Sequence, residues 1–147
     1  MGKTIIISNR LPVKIEQSKN TLTYKPSEGG LATGLNSFFK QGENLWIGWP
    51  GLAIKKAKES EVHSKLIEQH MKPVFLNNEE IEDFYEGFSN ETLWPNFHYF
   101  NQYTVYKEEH WLAYQRVNQK FAEIVAEELE DDDTVWIMII NYYYYLK

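Results

Sequence analysis

The chain has 147 residues, a formal net charge of −6, 16% aromatic residues and no cysteine. This length fits one compact domain rather than two, and the aromatic content argues against disorder. The charge excludes a basic surface for nucleic acid or an anionic membrane, and the missing thiols exclude disulfides and thiolate metal sites. No apolar stretch approaches the ~18 residues needed to span a bilayer, so a cytoplasmic protein is expected.

The N-terminal part of the chain is predicted to contain a buried strand, a hairpin and a turn before a helix. Lys3–Arg10 contains three consecutive isoleucines and becomes polar at its end, which is typical of a strand buried on both faces in a parallel sheet. Val13–Ile15 and Thr21–Tyr24 predict the two strands of a surface hairpin. Ser27–Leu35 predicts a glycine-containing loop that leads into a helix.

The rest of the chain alternates between predicted strands and predicted helices. Strands are expected at Leu45–Gly51, which ends in a turn, at Pro73–Leu76 and at Thr134–Ile140, and helices at Glu59–Met71, Asn78–Tyr85 and Glu108–Glu130. Asn78 is expected to cap the second helix and Gly87 to end it, with an irregular segment at Thr92–Tyr99. This alternation predicts an α/β sandwich around a mainly parallel sheet.

Several residue types are assigned to the core or to solvent. The tryptophans inside predicted regular elements, Trp46, Trp111 and Trp136, are expected in the core. The acidic run between Glu123 and Asp133 contains no basic residue and is expected to be a solvated face. The four histidines lack the spacing of metal ligands, so no metal site is expected.

Two features of the sequence suggest binding of an anion. Arg10 follows the first predicted strand, where ligands of open α/β sheets bind, and its planar guanidinium could clamp a phosphate. The alternative is an ion pair between Arg10 and a surface carboxylate. Gly29–Gly30 before a predicted helix could let backbone amides cradle an anion, although a tight turn explains the same residues.

Three aromatic residues lie at predicted strand ends or in predicted loops. Trp49, Tyr85 and Trp94 could offer flat surfaces to a sugar ring, or they could simply pack in the core. No GxSxG elbow and no pair of carboxylates typical of a glycosidase accompanies them.

Several segments occur in an order and spacing that resemble the trehalose-6-phosphate synthase family. They are Ser8–Val13, Gly29–Leu35, Trp46–Gly51, Tyr85–Asn90, Leu93–Tyr99, Tyr114–Asn118 and Asp131–Ile137. The resemblance covers roughly residues 4–137. It implies a retaining glycosyltransferase with two Rossmann-like domains facing a cleft, which transfers glucose from a nucleotide sugar, usually UDP-glucose, to glucose 6-phosphate. Residues 1–147 would be a single N-terminal, acceptor-side domain.

The resemblance also implies roles for individual residues. Arg10 and Tyr85 would contact the phosphate of glucose 6-phosphate, and Trp49 and Trp94 would wall its glucose ring. Gly29–Gly30 would let backbone amides approach the diphosphate of the nucleotide sugar. The family's reaction uses no metal, no cofactor and no covalent nucleophile, so none is expected here.

The end of the chain departs from the family pattern. Met138–Lys147 contains four consecutive tyrosines, and Ile139 stands where the family has a sugar-binding aspartate. The C-terminal nucleotide-binding domain of the family is not in this sequence and is an expected partner. Because half a cleft cannot position two substrates, the chain alone is expected to be inactive.

Two other functions fit parts of the sequence. One is a non-catalytic regulatory or interaction module that kept the fold, which Ile139 and the tyrosine-rich end suggest. The other is the nucleotide-binding half of a dehydrogenase, against which the absence of GxGxxG after the first strand argues.

Overall fold

A computed structural model describes residues 2–18, 21–27 and 44–138, in which six strands form two sheets. The strands are β1 (Thr4–Arg10), β2 (Val13–Ser18), β3 (Thr21–Pro26), β4 (Asn44–Trp49), β5 (Met71–Pro73) and β6 (Thr134–Ile137). The main sheet has the order β5-β4-β1-β6, and all of its strand pairs are parallel. Strands β2 and β3 form a separate antiparallel pair. The predicted mainly parallel α/β fold and the predicted hairpin are therefore confirmed.

The helical segments of the described residues lie between β4 and β6. They are α1 (Lys56–Ile67), α2 (Asn78–Glu80), a π-helix (Ile81–Leu93), α3 (Trp94–Phe97), a 3₁₀ turn (Asn101–Tyr103) and α4 (Glu108–Glu128). The long helix α4 packs against the π-helix and, through its apolar face, against the main sheet.

Strand β1 separates two apolar clusters. Its isoleucines at positions 5, 6 and 7 are all fully buried. Ile5 and Ile7 belong to the cluster that contains residues of α4, whereas Ile6 belongs to the cluster that contains residues of α1 and the hairpin. Because successive side chains of a strand face opposite sides of the sheet, a continuous isoleucine run is what a strand with apolar layers on both faces requires.

The helix before the π-helix begins one residue earlier than predicted. Asn77, not Asn78, is its N-cap: the Asn77 side chain accepts a hydrogen bond from the Glu80 backbone at 2.9 Å, and the Glu80 carboxylate accepts one from the Asn77 backbone at 3.0 Å. Such a capping box needs a glutamate or glutamine three residues after the cap. Only Asn77 has one, because the residue three positions after Asn78 is isoleucine.

Two further predictions about this region are wrong. Gly87 does not end the helix, which continues to Leu93 with π-helical geometry, and Thr92–Tyr99 is helical as far as Phe97 rather than irregular. A glycine inside a helix costs only about 1 kcal/mol relative to alanine. Here Gly87 is buried against the ring of His110, to which a Cβ atom at position 87 would come within 2.7 Å.

Other element boundaries differ by a few residues. Helix α1 ends at Ile67 rather than at Met71, which begins β5 instead. His70 adopts a positive φ of 58° between the two elements, and its carbonyl accepts a hydrogen bond from the Trp46 backbone at 2.9 Å. The left-handed residue therefore turns the chain from the helix into the sheet. Ile139 and the tyrosines after it lie outside the described residues.

The three tryptophans assigned to the core have different outcomes. Trp46 is 1% exposed and Trp111 is partly buried against the core. The prediction for Trp136 is wrong, since this side chain is 43% exposed. Trp136 lies in β6, which is an edge strand among the described residues. Strand β6 pairs with β1 on one side, and no described strand lies on its other side.

The acidic run is not entirely a solvated face. Asp133 accepts hydrogen bonds from the backbone N–H groups of Lys3 and Glu130, at 2.9 and 3.0 Å, and its carboxylate lies 3.0 Å from the Lys3 ammonium. Its side chain is 2% exposed. Burial acts to raise the pKa of Asp133, but these hydrogen bonds and the Lys3 charge outweigh it and hold the pKa below its usual value of 3.8.

Candidate functional site

The carboxyl ends of β1 and β4 lie side by side and carry the first two candidate residues. Arg10 is paired in register with Trp49, and the Leu11 backbone N–H donates to the Trp49 carbonyl at 2.8 Å. The register between the two strands shifts between Ile7 and Arg10. Irregularities of this kind re-aim side chains at the ends of strands.

The side chain of Ser8 ties this strand end to the neighbouring strand. Its hydroxyl donates to the Arg10 carbonyl at 2.6 Å and accepts from the indole N–H of Trp46 at 2.7 Å. Both contacts are local to the end of β1, so they hold the backbone of Arg10 in a defined position. The serine was part of the motif that suggested the site, but its structural role was not predicted.

The guanidinium of Arg10 lies over the ring of Trp49, with its central carbon 5.6 Å from the ring centroid. This is within the distance of a cation–π contact. Among residues 2–18, 21–27 and 44–138, no carboxylate forms an ion pair with Arg10. The expected alternative, an arginine paired with a surface carboxylate, therefore has no support within these ranges, and the exposed guanidinium retains its donors for a ligand.

Gly51 gives the guanidinium its space. This glycine has a positive φ of 93°, and a Cβ atom at its position would lie 2.4 Å from a terminal nitrogen of Arg10. Any other residue would be strained in its backbone and would push the arginine away. Gly51 was quoted in the sequence motif, but only the structure relates it to Arg10.

Trp49 and Tyr85 form the aromatic part of the site. Their ring centroids are 5.2 Å apart at an angle of 57°. Trp49 is 3% exposed and its indole N–H donates to the Leu52 carbonyl at 3.2 Å, whereas Tyr85 is half-buried on the π-helix. Trp49 therefore packs in the core and also supports Arg10. Its two predicted roles, core packing and an aromatic surface at the binding site, are thus compatible.

Trp94 has a different environment from the other aromatic candidates. It begins α3, is 60% exposed and contacts the ring of His98, with ring centroids 3.8 Å apart at an angle of 35°. The structure thus links Arg10 to Trp49 and Trp49 to Tyr85, whereas the ring contact of Trp94 among the described residues is with His98. The predicted donor-binding residues Gly29 and Gly30 lie outside the described residues.

A buried asparagine completes the strand end. Asn9 is 7% exposed, and within residues 2–18, 21–27 and 44–138 neither its amide nitrogen nor its amide oxygen has a hydrogen-bond partner. Sequence reasoning did not single it out. The feature of the sequence that could have identified it is the change from isoleucine to polar residues at the end of the first strand.

The described residues contain no group of three histidine, aspartate or glutamate side chains placed to hold a metal ion. Within the same residues, no helix combines the length and the apolar character needed to cross a membrane. An unpaired arginine on an aromatic ring at the carboxyl edge of a parallel sheet defines an α/β protein with a site suited to an anionic ligand.

Comparisons with known proteins identify the family. The sequence model of glycosyltransferase family 20 matches residues 2–146, and the chain belongs to that family. It is 41% identical over 144 residues to the bifunctional trehalose-6-phosphate synthase/phosphatase of Thermoproteus tenax, a match that covers 92% of this chain and 19% of that protein. It is 39% identical to the 56 kDa subunit of the UDP-forming alpha,alpha-trehalose-phosphate synthase of Saccharomyces cerevisiae, with 92% and 28% covered.

Solved structures agree with this assignment. The UDP-forming alpha,alpha-trehalose-phosphate synthase of Burkholderia xenovorans in complex with glucose-6-phosphate is 27% identical, with a TM-score of 0.67 over 92% of this chain and 28% of that one. The chain therefore corresponds to the N-terminal part of these enzymes. It spans less than a third of the length of the relatives it matches.

Proposed function

We propose that this chain is the acceptor-binding part of a glycosyltransferase that transfers glucose from UDP-glucose to glucose 6-phosphate with retention, giving trehalose 6-phosphate. The relatives support the reaction, because the yeast enzyme is UDP-forming and the Burkholderia enzyme is known with glucose-6-phosphate bound. The reaction is proposed for a protein of the relatives' length, with the nucleotide-binding part supplied by sequence that this chain does not span.

The observation that carries the proposal is the unpaired guanidinium of Arg10. It is exposed, it rests on Trp49, and Gly51 leaves it room. A guanidinium presents parallel N–H donors that match two phosphate oxygens, and such charge-assisted hydrogen bonds are the stronger ones in proteins. Arg10 is accordingly assigned to the phosphate of glucose 6-phosphate.

The aromatic residues are assigned by their position relative to Arg10. Tyr85 touches the ring that supports the guanidinium, which places it next to the proposed phosphate site. Trp49 and Trp94 are proposed to wall the sugar, Trp49 from the strand end and Trp94 from the exposed start of α3. Gly29 and Gly30 remain the proposed residues for the donor diphosphate.

The proposed substrates also suggest a location. Sugar phosphates and nucleotide sugars are charged, and moving a charge into an apolar medium is costly, so lipid bilayers retain them. We accordingly place the protein in the cytoplasm, with the compounds it uses.

The test is a calorimetric titration of the protein with glucose 6-phosphate. Arg10→Ala is expected to weaken binding by about 10-fold to 100-fold, because hydrogen bonds to charged groups contribute about 1.5–3 kcal/mol. The sequence offers one matched control, since its other arginine, Arg116, is exposed on α4. Arg116→Ala is expected to bind like the wild type. Equal affinity of Arg10→Ala and wild type would contradict the assignment of the phosphate site.

A further inference from the structure

Asn9 is a buried polar side chain without a hydrogen-bond partner. It is 7% exposed, and both polar atoms of its amide lack partners in the part of the chain that the structure describes. Its neighbour Ser8 is also buried, at 2% exposed, but both donates and accepts a hydrogen bond. Leaving a buried donor and acceptor unpaired is unfavourable and uncommon, so an amide in this state calls for a specific reason.

The position of Asn9 suggests that reason. It precedes Arg10 directly, at the carboxyl end of β1, and consecutive Cα atoms are only about 3.8 Å apart. In the chain, Asn9 lies between Ile7, which belongs to the cluster that also contains Trp49, and Arg10, in the stretch where the register with β4 shifts. The unpaired amide and the guanidinium are therefore carried by adjacent residues at the same strand end.

The chemistry of the amide complements that of the guanidinium. Arg10 has N–H donors only, so it can bind phosphate oxygens but cannot accept a hydrogen bond. A sugar hydroxyl both donates and accepts, and it is satisfied best by a group that does the same. The asparagine amide has two N–H donors and a carbonyl acceptor, and in Asn9 these buried groups have no partner among the described residues.

We propose that Asn9 hydrogen-bonds a hydroxyl group of the sugar whose phosphate is held by Arg10. The amide nitrogen donates a hydrogen bond to the hydroxyl oxygen, or the amide oxygen accepts a hydrogen bond from the hydroxyl group. The inference rests on the proposed function and adds to it a residue that selects a phosphorylated sugar over phosphate alone. The unpaired amide destabilises the free protein, and its hydrogen bond to the bound sugar removes this free-energy penalty.

The experiment compares Asn9→Leu with the wild type, using glucose 6-phosphate and inorganic phosphate as separate ligands. Leucine has a similar size and removes both polar atoms. We expect the melting temperature to stay equal or rise, because an unpaired polar group leaves the interior. We expect affinity for glucose 6-phosphate to fall about 10-fold and affinity for inorganic phosphate to stay unchanged. Asn9→Ala is measured in parallel and is expected to show the same selective loss if leucine does not fit.

A second buried asparagine provides the control. Asn118 in α4 is fully buried, and its amide nitrogen donates to the Tyr114 carbonyl at 2.8 Å, whereas its amide oxygen has no partner among the described residues. It differs from Asn9 in the paired amide nitrogen. Asn118→Leu is expected to lower the melting temperature, because this hydrogen bond is lost, and to leave the affinity for glucose 6-phosphate unchanged.

The outcomes separate the two proposals. If the wild type binds glucose 6-phosphate and both Asn9 variants bind it equally well, the role of Asn9 is overturned and the proposed function stands. If the variants lose affinity for inorganic phosphate to the same extent, Asn9 belongs to the phosphate site and the sugar contact is also overturned. If the wild type does not bind glucose 6-phosphate, the proposed function fails, and the inference about Asn9 fails with it.

Discussion

The polar residues near the two ends of β1 differ in whether they have partners among the described residues. At the amino end, Asp133 uses both carboxylate oxygens, with hydrogen bonds from Lys3 and Glu130 and an ion pair to the Lys3 ammonium. At the carboxyl end, Arg10 forms no ion pair and the amide of Asn9 forms no hydrogen bond with any described residue. Both ends belong to the same strand and flank the same run of buried isoleucines.

This difference separates polar residues that stabilise the fold from polar residues that are held ready for a ligand. A polar group with all its partners inside the protein gains its free energy on folding. A polar group without them costs free energy until something binds. Substitutions at the amino end are therefore expected to change stability alone, and substitutions at the carboxyl end to change affinity.

The largest effect is expected from Gly51→Ala. The methyl group would collide with the Arg10 guanidinium, and the positive φ of 93° is unfavourable for alanine. We expect affinity for glucose 6-phosphate to fall at least 10-fold, and stability to fall by about 1–2 kcal/mol because of the backbone strain. Calorimetric titration and chemical denaturation measure the two effects separately.

A double variant distinguishes the collision from the strain. In an Arg10→Ala background, Gly51→Ala should lower stability as before but cause no further loss of affinity, because no guanidinium remains to be displaced. If Gly51→Ala alone leaves affinity unchanged, the glycine serves the backbone only.

The second effect concerns Asp133 at the amino end. Asp133→Asn removes the charge that pairs with Lys3, so we expect a lower melting temperature at pH 7 and unchanged affinity for glucose 6-phosphate. The pKa of Asp133 in the folded protein lies below its usual value of 3.8. The stabilisation is therefore complete above pH 3.8 and is lost as the pH falls below that value and through the folded pKa.

Melting curves between pH 7 and pH 2.5 measure this dependence. The difference between the wild type and Asp133→Asn should shrink as the solution becomes more acidic. Asp131→Asn is the control, because Asp131 is an exposed member of the same acidic run. A pH-independent difference between wild type and Asp133→Asn would mean that the charge of Asp133 does not contribute.

The sequence predicted the parallel fold because its signals were local. A run of three isoleucines favours a strand covered on both faces, and all three are fully buried in the structure. The spacing of apolar residues in α4 follows the helical period. The errors occur where distant contacts outweigh local preference. Gly87 remains inside a helix because it packs against His110, and Trp136 is exposed because its strand lies at the sheet edge.

The site could be predicted only in part. Arg10 was identified because chain order places it after a buried strand, and its contact with Trp49 follows from the parallel pairing of β1 and β4. The unpaired amide of Asn9 and the space left by Gly51 could not be predicted, since both depend on which atoms are neighbours in three dimensions. The sequence also could not show that Trp94 contacts His98 rather than the other aromatic candidates.

The smallest effect is expected from an asparagine whose polar groups are paired within the protein. Asn77 follows β5 and caps the helix that leads to Tyr85, with both its backbone N–H and its side chain bonded to Glu80. Asn77→Ala is expected to lower stability by about 1 kcal/mol, the usual cost of losing such a cap, and to leave affinity for glucose 6-phosphate unchanged. Chemical denaturation and calorimetry provide the two measurements.

Asn90→Ala is the matched control, because Asn90 is exposed on the π-helix and its hydrogen bond is to the nearby Glu86. Its stability should remain within about 0.5 kcal/mol of the wild type. Asn77 and Asn9 then form a direct contrast: the partnered asparagine should affect stability without affecting affinity, and the unpartnered one should affect affinity without lowering stability. If both substitutions changed the same quantity, the presence or absence of internal partners would not be what distinguishes structural from ligand-binding residues in this protein.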